Sequence, residues 1–440
     1  MSTSLKKRAI ASTAWTLFGY GGSQFIRLAA NLVITRLIAK ELFGIMALVN
    51  VLMIGLNMFS DVGIGPSIIQ DEKGNDPRFL NTAWTIQVFR GFALWFCACL
   101  IAYPFALFYD DIRLVKVIPV LSLVSVINGF ASTSIFTKNK ELNLAKLTLL
   151  DMIPQVLSII FLITWSYFSP TIWALVFSTL IGALIKVIMS HFWLGGIRNR
   201  FAWDPAMARR LVRFGRWVFV STVIAFGLNH MDRLIFGKFM SLDDLAVYSI
   251  AAMFATVIDQ TYRRLGSKVL FPLYAKIKGE PLPELRRQVR KIRIRLMGVL
   301  LPGLSLLIIL GPYIIDLYPE GYGDAAWMLQ LLAVGWIVPM ATFLGPIFLA
   351  FGDSFLNMKV EATRASILIG SMIVGGLMYD VAGLIWGIAI ADAIFYPFLV
   401  IAYRRYSLWF PMLDFVGIAG SLVAIGIGLY FTGGLQFGFG

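Results

Sequence analysis

The sequence predicts an all-α polytopic membrane protein: two six-helix lobes related by an internal repeat around a central cavity, plus a thirteenth, C-terminal apolar segment. Three observations predict it. Hydrophobic residues make up 59% of the 440 and charged residues 14%, with a mean hydropathy of +0.80. Soluble domains sit near half apolar and a quarter charged, so a soluble protein is excluded. Apolar runs of roughly 20 residues, the length that crosses about 30 Å of hydrocarbon as a helix, recur along nearly the whole chain and exclude a β-barrel. Finally, the second half restarts the pattern of the first. Residues 35–48 read against 237–250, and the same offset lays Trp15 on Trp217, Arg8 on Arg210, Arg36 on Lys238 and Arg27/Asn31 on Asn229/Arg233. Paired lobes around a midplane site are a common plan of secondary transporters.

Spans are expected at 11–35, 43–69, 81–107, 114–136, 147–168, 171–195, 214–237, 245–271, 294–316, 325–351, 358–379 and 382–403, with a Gly-rich thirteenth stretch at 413–432. The first follows Lys6-Lys7-Arg8 and has no small-residue cleavage site, which predicts an uncleaved helix with a cytoplasmic N-terminus. The second runs into Gly63-Ile-Gly65-Pro66, a break near its inner end. The third carries Cys97 and Cys99, which point to different helix faces and form neither a disulfide nor a metal pair. After the sixth, the long linker 196–213 sets the boundary between an N-terminal lobe, 1–200, and a C-terminal lobe, 201–405. Residues 272–293 predict a short basic amphipathic helix leading into span nine, held by positive-inside retention and anionic lipid, with partner docking as the other reading. Gly375-Gly376 reads as a small-residue helix contact. The segment 406–440 is awkward, because an odd span count places the C-terminus outside; an interfacial or half-inserted segment is the alternative. About 25 of the 38 Lys and Arg fall in the segments assigned to the cytoplasm and about 5 outside, so the net charge of +14 reflects membrane topology rather than nucleic-acid binding.

Ionisable side chains inside spans are costly and mark cavities or ion pairs. On the first span Thr13, Thr16, Tyr20, Gln24, Arg27 and Asn31 share one face. On the second, Asn50, Asn57 and Asp61 do so, and Gln87 and Arg90 lie on the third. The seventh carries Ser221, Asn229, Asp232 and Arg233. Asp259 and Arg263 are four apart and read either as a self-neutralising pair or as cavity groups. Glu361 and Arg364 read as a structural pair, and Lys186, Arg264 and Lys268 as groups reaching the cytoplasmic interface. Asp232 and Arg233 point apart, so each calls for an interhelical partner. His230 reads as a buried structural imidazole before a titrating one. A cavity holding Arg27 and Arg90 suits a phosphate-bearing cargo over an organic cation, because the guanidinium fork matches phosphate oxygens. No phosphate loop, zinc helix or nucleophile elbow is present, and outer loops of about ten residues leave no room for a catalytic domain. No catalytic residue, cofactor or metal is expected.

The run Thr35-Arg-Leu-Ile-Ala-Lys-Glu-Leu-Phe-Gly, followed by Phe59-Ser-Asp-Val-Gly-Ile-Gly, resembles the polysaccharide transporter family. This family contains the Wzx-type oligosaccharide flippases and belongs to the multidrug/oligosaccharidyl-lipid/polysaccharide exporter superfamily. Asn229-His-Met-Asp-Arg-Leu-Ile-Phe-Gly-Lys-Phe and Leu245-Ala-Val-Tyr-Ser-Ile are similar to its seventh and eighth helices. The resemblance implies a flippase for undecaprenyl-diphosphate-linked oligosaccharide, working by alternating access in the bacterial inner membrane for exopolysaccharide or O-antigen biosynthesis. It implies a cationic cavity with Arg27, Arg90 and Arg233 on the diphosphate and Asn31 and Asn229 on sugar. Arg263 joins the binding set, and Asp61, Asp232 and Asp259 are ion-coupling candidates. The implied partners are lipid-linked oligosaccharide, membrane lipids and other polysaccharide-assembly proteins. A lipid II-type flippase, a cation-coupled multidrug exporter and a membrane glycosyltransferase or polymerase are the competing readings.

Overall fold

The computed structural model describes residues 21–60, 63–70, 74–141, 144–209, 226–227, 230–266, 270–344 and 346–432. The chain divides into two compact units, Met1–Phe226 and Gly227–Gly440. Among the described residues there is no strand. Seven described helices are long and apolar enough to cross a membrane, or eight when the bent pair Leu114–Gly129 and Ser134–Lys140, at 59°, is one span.

The N-terminal unit contains α1 (21–37), α2 (Lys40–Phe59), α3 (Ile64–Gln70), α4 (Pro77–Phe108), α5 (Leu114–Gly129), α6 (Ser134–Lys140), α7 (Leu144–Phe168) and α8 (Ile172–Phe192). The predicted second span is broken where the glycines foretold it: α2 ends at Phe59, and Gly63 takes a φ of +62° that a side chain would resist. Asp76 caps α4, accepting from the Arg78 amide at 2.8 Å, and Pro77 occupies the first turn, where no amide is needed. α4 and α5 then pack so closely that a methyl at Gly91 would lie 2.6 Å from the Ser125 carbonyl oxygen. The carbonyls exposed at the end of α5 are met from α4. Gln87 Nε2 donates to Asn128, Gly129 and Ala131 at 3.0–3.1 Å, and Trp84 Nε1 donates to Phe130 at 3.3 Å.

Residues 199–204 form an extended strap across this region. The amides of Arg200, Ala202 and Asp204 donate to the side chains of Asn81, Thr85 and Thr82, each at 3.1 Å. Asn199 Oδ1 accepts from the Ser132 hydroxyl and the Thr133 amide. Phe201 lies against Trp84 with ring centroids 4.9 Å apart. At the other end of α4, Arg113 bridges Asp111 at 2.7 Å and Glu41 at 2.6 Å, tying the start of α2 to the α4–α5 loop. Burial pushes the Asp111 carboxyl up, but the hydrogen bonds and charge of Arg113 outweigh it and hold it below the usual range.

The C-terminal unit contains α9 (230–239), α10 (Leu242–Leu265), α11 (Phe271–Ile277), α12 (Leu282–Ile315), α13 (Ala325–Gly335), α14 (Ile337–Ala341), α15 (Ile347–Phe351), α16 (Ser354–Arg405) and α17 (Pro411–Thr432). The expected short basic helix is not separate. It is the first part of α12, which buries Leu285, Val289, Arg293, Met297 and Leu301 at four-residue steps and leaves Arg287, Arg290, Lys291 and Arg295 exposed. The expected tenth span is interrupted, as α13, α14 and α15 separated around Trp336 and Thr342.

α16 comprises two arms meeting at Tyr379 and Asp380, whose φ/ψ are non-helical, and these arms correspond to the eleventh and twelfth spans. The Gly375-Gly376 contact expected from sequence is there: a methyl at Gly375 would collide with the Gly383 carbonyl oxygen. Arg364, read from sequence as structural, joins Asp392 on the opposite arm in a two-point fork at 2.7 and 2.8 Å. α17 is of spanning length and packs on α12 and α14, with Ile425 and Leu429 buried beside Met297, Leu301 and Ile308.

Candidate functional site

The end of α2 and the break between α5 and α6 enclose a cavity of about 440 Å³ in the N-terminal unit. Asn57, Gln87, Arg90, Ser125, Asn128 and Lys186 contribute its polar wall. Arg90 Nη2 donates to the Asn57 carbonyl at 2.7 Å and its Nε to the Ser60 hydroxyl at 3.0 Å. A guanidinium there meets the acceptors and partial negative charge of a helix C-terminus. Lys186 forms an ion pair at 2.6 Å with Asp151 on α7. The wall thus carries cations, amide and hydroxyl groups, which suits an oxygen-rich anionic group.

Arg27 and Asn31 lie on α1, Arg27 exposed and Asn31 half-buried, and neither lines this cavity. α1 is docked elsewhere, through Ser23 and Gln155, whose side chains meet at 2.6 Å. Asp61 and Asn229 lie outside the described residues, as do Thr13, Thr16 and Tyr20.

The C-terminal unit gathers a second polar group on α9 and α10. The Tyr248 hydroxyl donates to Asp232 Oδ2 at 2.5 Å, which supplies the interhelical partner that the sequence called for without naming it. Asp232 Oδ1 is buried and has no hydrogen-bond partner among the described residues. Arg263 pairs with Asp259 at 2.8 Å, the self-neutralising alternative. His230 lies within electrostatic range of Asp232, Arg233, Asp259 and Arg263, so the fold brings all four charges into one neighbourhood.

Sequence reasoning missed a buried ion pair, Arg293 with Asp414. Arg293 Nε also donates to the Ala341 carbonyl at 3.0 Å, and Asp414 accepts from Tyr396 at 2.7 Å and Trp409 at 3.1 Å. The available signal was a lone carboxylate at the start of the last apolar stretch, which demands a buried cation. No group of three or more His, Cys, Asp or Glu among the described residues is placed to hold a metal.

The fold is similar to that of solved transporters at low sequence identity. The chain is similar to the lipid II flippase MurJ in an inward closed conformation, with a TM-score of 0.73, 15% identity, and coverage of 97% of this chain and 94% of that one. It is also similar to a multidrug resistance MATE family transporter in an inward-facing conformation, with a TM-score of 0.62, 14% identity, and coverage of 92% and 95%. The chain belongs to the polysaccharide biosynthesis protein family, whose model matches residues 33–325. It is 21% identical over 447 residues to the lipopolysaccharide biosynthesis protein WzxC of Escherichia coli (strain K12), covering 98% of this chain and 90% of that protein. The family resemblance read from the motifs is therefore borne out. The chain is thus a multi-pass membrane protein of the polysaccharide biosynthesis protein family.

Proposed function

We propose that this protein moves undecaprenyl-diphosphate-linked oligosaccharide from the cytoplasmic to the outer leaflet of the bacterial inner membrane by alternating access, for exopolysaccharide or O-antigen assembly. Its N-terminus lies in the cytoplasm. The observation that carries the reading is Arg90, set in the wall of a polar cavity within a membrane-spanning helix of a polysaccharide biosynthesis family member. The physical problem is taking a diphosphate and many hydroxyls across hydrocarbon, where an unsatisfied polar group costs several kcal/mol. Guanidinium and amide groups already fixed in place remove most of that cost.

In the N-terminal unit Arg90 takes the diphosphate, with Asn57 and Asn128 of the same wall beside the sugar. Arg263 contributes when its bond to Asp259 is exchanged for substrate. Asp232 is an ion-coupling candidate with one buried carboxylate oxygen that has no hydrogen-bond partner among the described residues; Asp61 and Asp259 are the others. Polysaccharide-assembly proteins are its partners in the membrane.

The test is transbilayer movement of a fluorescent undecaprenyl-diphosphate oligosaccharide in proteoliposomes containing the purified full chain. Protein-dependent movement, lost in Arg90→Ala at equal incorporation, is the expected result. No movement by the wild-type chain, or efflux of an organic cation instead, overturns the proposal.

A further inference from the structure

The uncharged stretch of α12 from Leu296 to Ile315 is bounded by Arg295 and Asp316. At roughly 20 residues, or about 30 Å, it matches the hydrocarbon layer, so these two charges mark its limits. The whole helix has 34 residues, about 51 Å. Because the basic segment continues that helix, it stands upright through the headgroup layer, about 5–7 Å thick, and does not lie along it. Arg295 and Lys291, about 6 Å apart along the axis, lie within that layer with Arg290 beside them. Arg287 is about 12 Å past Arg295 and clear of it.

The cations of this segment divide by what they touch. Arg286 donates to the Ser407 carbonyl and lies 5.2 Å from the Phe410 ring centre. Arg287 pairs with Glu284 at 2.9 Å, and Arg293 is buried against Asp414. Arg290, Lys291 and Arg295 are exposed and have no ion pair or side-chain hydrogen bond among the described residues. Lys291 and Arg295, four apart, share a helix face. That face continues into the hydrocarbon through Gly298 and Pro302, flanked by Val299 and Leu306, all exposed. A methyl at Gly298 would meet nothing within 4 Å, so the face is open to lipid.

We infer that this face of α12 is a binding site for an anionic phospholipid. Lys291 and Arg295 hold its phosphate, and an acyl chain lies along Gly298 and Pro302. The site goes beyond the transport reading and does not depend on it. Charge complementarity selects the headgroup: cations without a carboxylate partner at phosphate depth favour a lipid of net negative charge over a zwitterionic one, whose ammonium cancels its phosphate. The apolar strip next to the cations distinguishes a lipid from free phosphate. An upright helix crossing the headgroup layer meets few headgroups, whereas one lying in the interface plane would draw many.

The experiment titrates the full chain, in phosphatidylcholine nanodiscs, with phosphatidylglycerol carrying a photoactivatable group on its acyl chain close to the glycerol. Labelling is expected on residues 294–302 and should saturate as the lipid fraction rises. A cation near an anionic headgroup contributes about fivefold in affinity. Lys291→Gln/Arg295→Gln is therefore expected to raise the half-saturating fraction at least about tenfold. Arg287→Gln, beyond the headgroups and already paired, is expected to leave it unchanged. Lys291→Arg/Arg295→Lys keeps both charges and is expected to label as the wild type does, which separates loss of the site from loss of the fold. Equal labelling by photoactivatable phosphatidylcholine, labelling that never saturates, or displacement by inorganic phosphate overturns the site. So does an Arg287→Gln effect as large as that of the double variant, which would make the attraction a diffuse one. Stronger competition by geranylgeranyl diphosphate than by unlabelled phosphatidylglycerol also overturns it, by giving the face to an isoprenoid lipid.

Discussion

Arg364 and Asp392 show how a single pair reports on a whole helical hairpin. The two side chains are mostly buried and meet in a two-point fork, with the Arg364 guanidinium 5.8 Å from the Trp336 ring centre. Removing one partner of such a pair leaves an uncompensated charge and costs about 3–5 kcal/mol. Asp392→Ala is therefore expected to lower the thermal unfolding midpoint of the detergent-solubilised protein well below that of Glu361→Ala. The double variant Arg364→Met/Asp392→Leu is expected to recover most of the loss. Equal midpoints for the two single variants would show that the fork contributes nothing.

Among the elements, the α16 hairpin depends on missing side chains. A methyl at Gly387 would collide with the Ser371 carbonyl oxygen, whereas one at Gly370 meets nothing within 4 Å. Gly387→Leu should split the arms and destabilise the unit by more than about 3 kcal/mol, beyond the usual cost of overpacking, and Gly370→Leu should be neutral. Monodispersity in size-exclusion chromatography checks the contrast. The tie between α2 and the α4–α5 loop makes a different demand, on pH. The Asp111 carboxyl is held below its ordinary value of about 3.9, so its contribution is full above that value and is lost as pH falls through the depressed one. Amide protection factors at residues 40–44, with the intrinsic pH dependence of exchange divided out, should stay constant from about pH 7 to 5 and fall only in stronger acid. In Asp111→Asn they should be low throughout.

On the scale of the whole molecule, α17 is part of the C-terminal unit, not an appendage. Its Asp414 neutralises Arg293, which is fully buried on α12. Truncation before Pro411 should leave that charge stranded and abolish monodisperse protein, and Arg293→Met in the truncated chain should restore part of it. Recovery of neither stability nor yield would show that apolar packing by Ile425 and Leu429 is what α17 supplies.

The amino-acid order alone determined the chemistry of each segment. It carried which runs are apolar, where Gly63 interrupts the second span, that Gly375 and Gly376 lie in a close helix contact, and that Arg90 is a cation within a span. Those properties follow from local composition and helical period, which need no partner. Tertiary structure decided everything that depends on which side chains face one another. It gave Arg364 to Asp392, bound Asp232 to Tyr248, buried Arg293 against Asp414, and put Arg90 rather than Arg27 in a cavity wall. The reason is geometric: an ion pair or hydrogen bond is chosen by distances of about 3 Å between residues tens of positions apart, and a helical period constrains only neighbours along one helix.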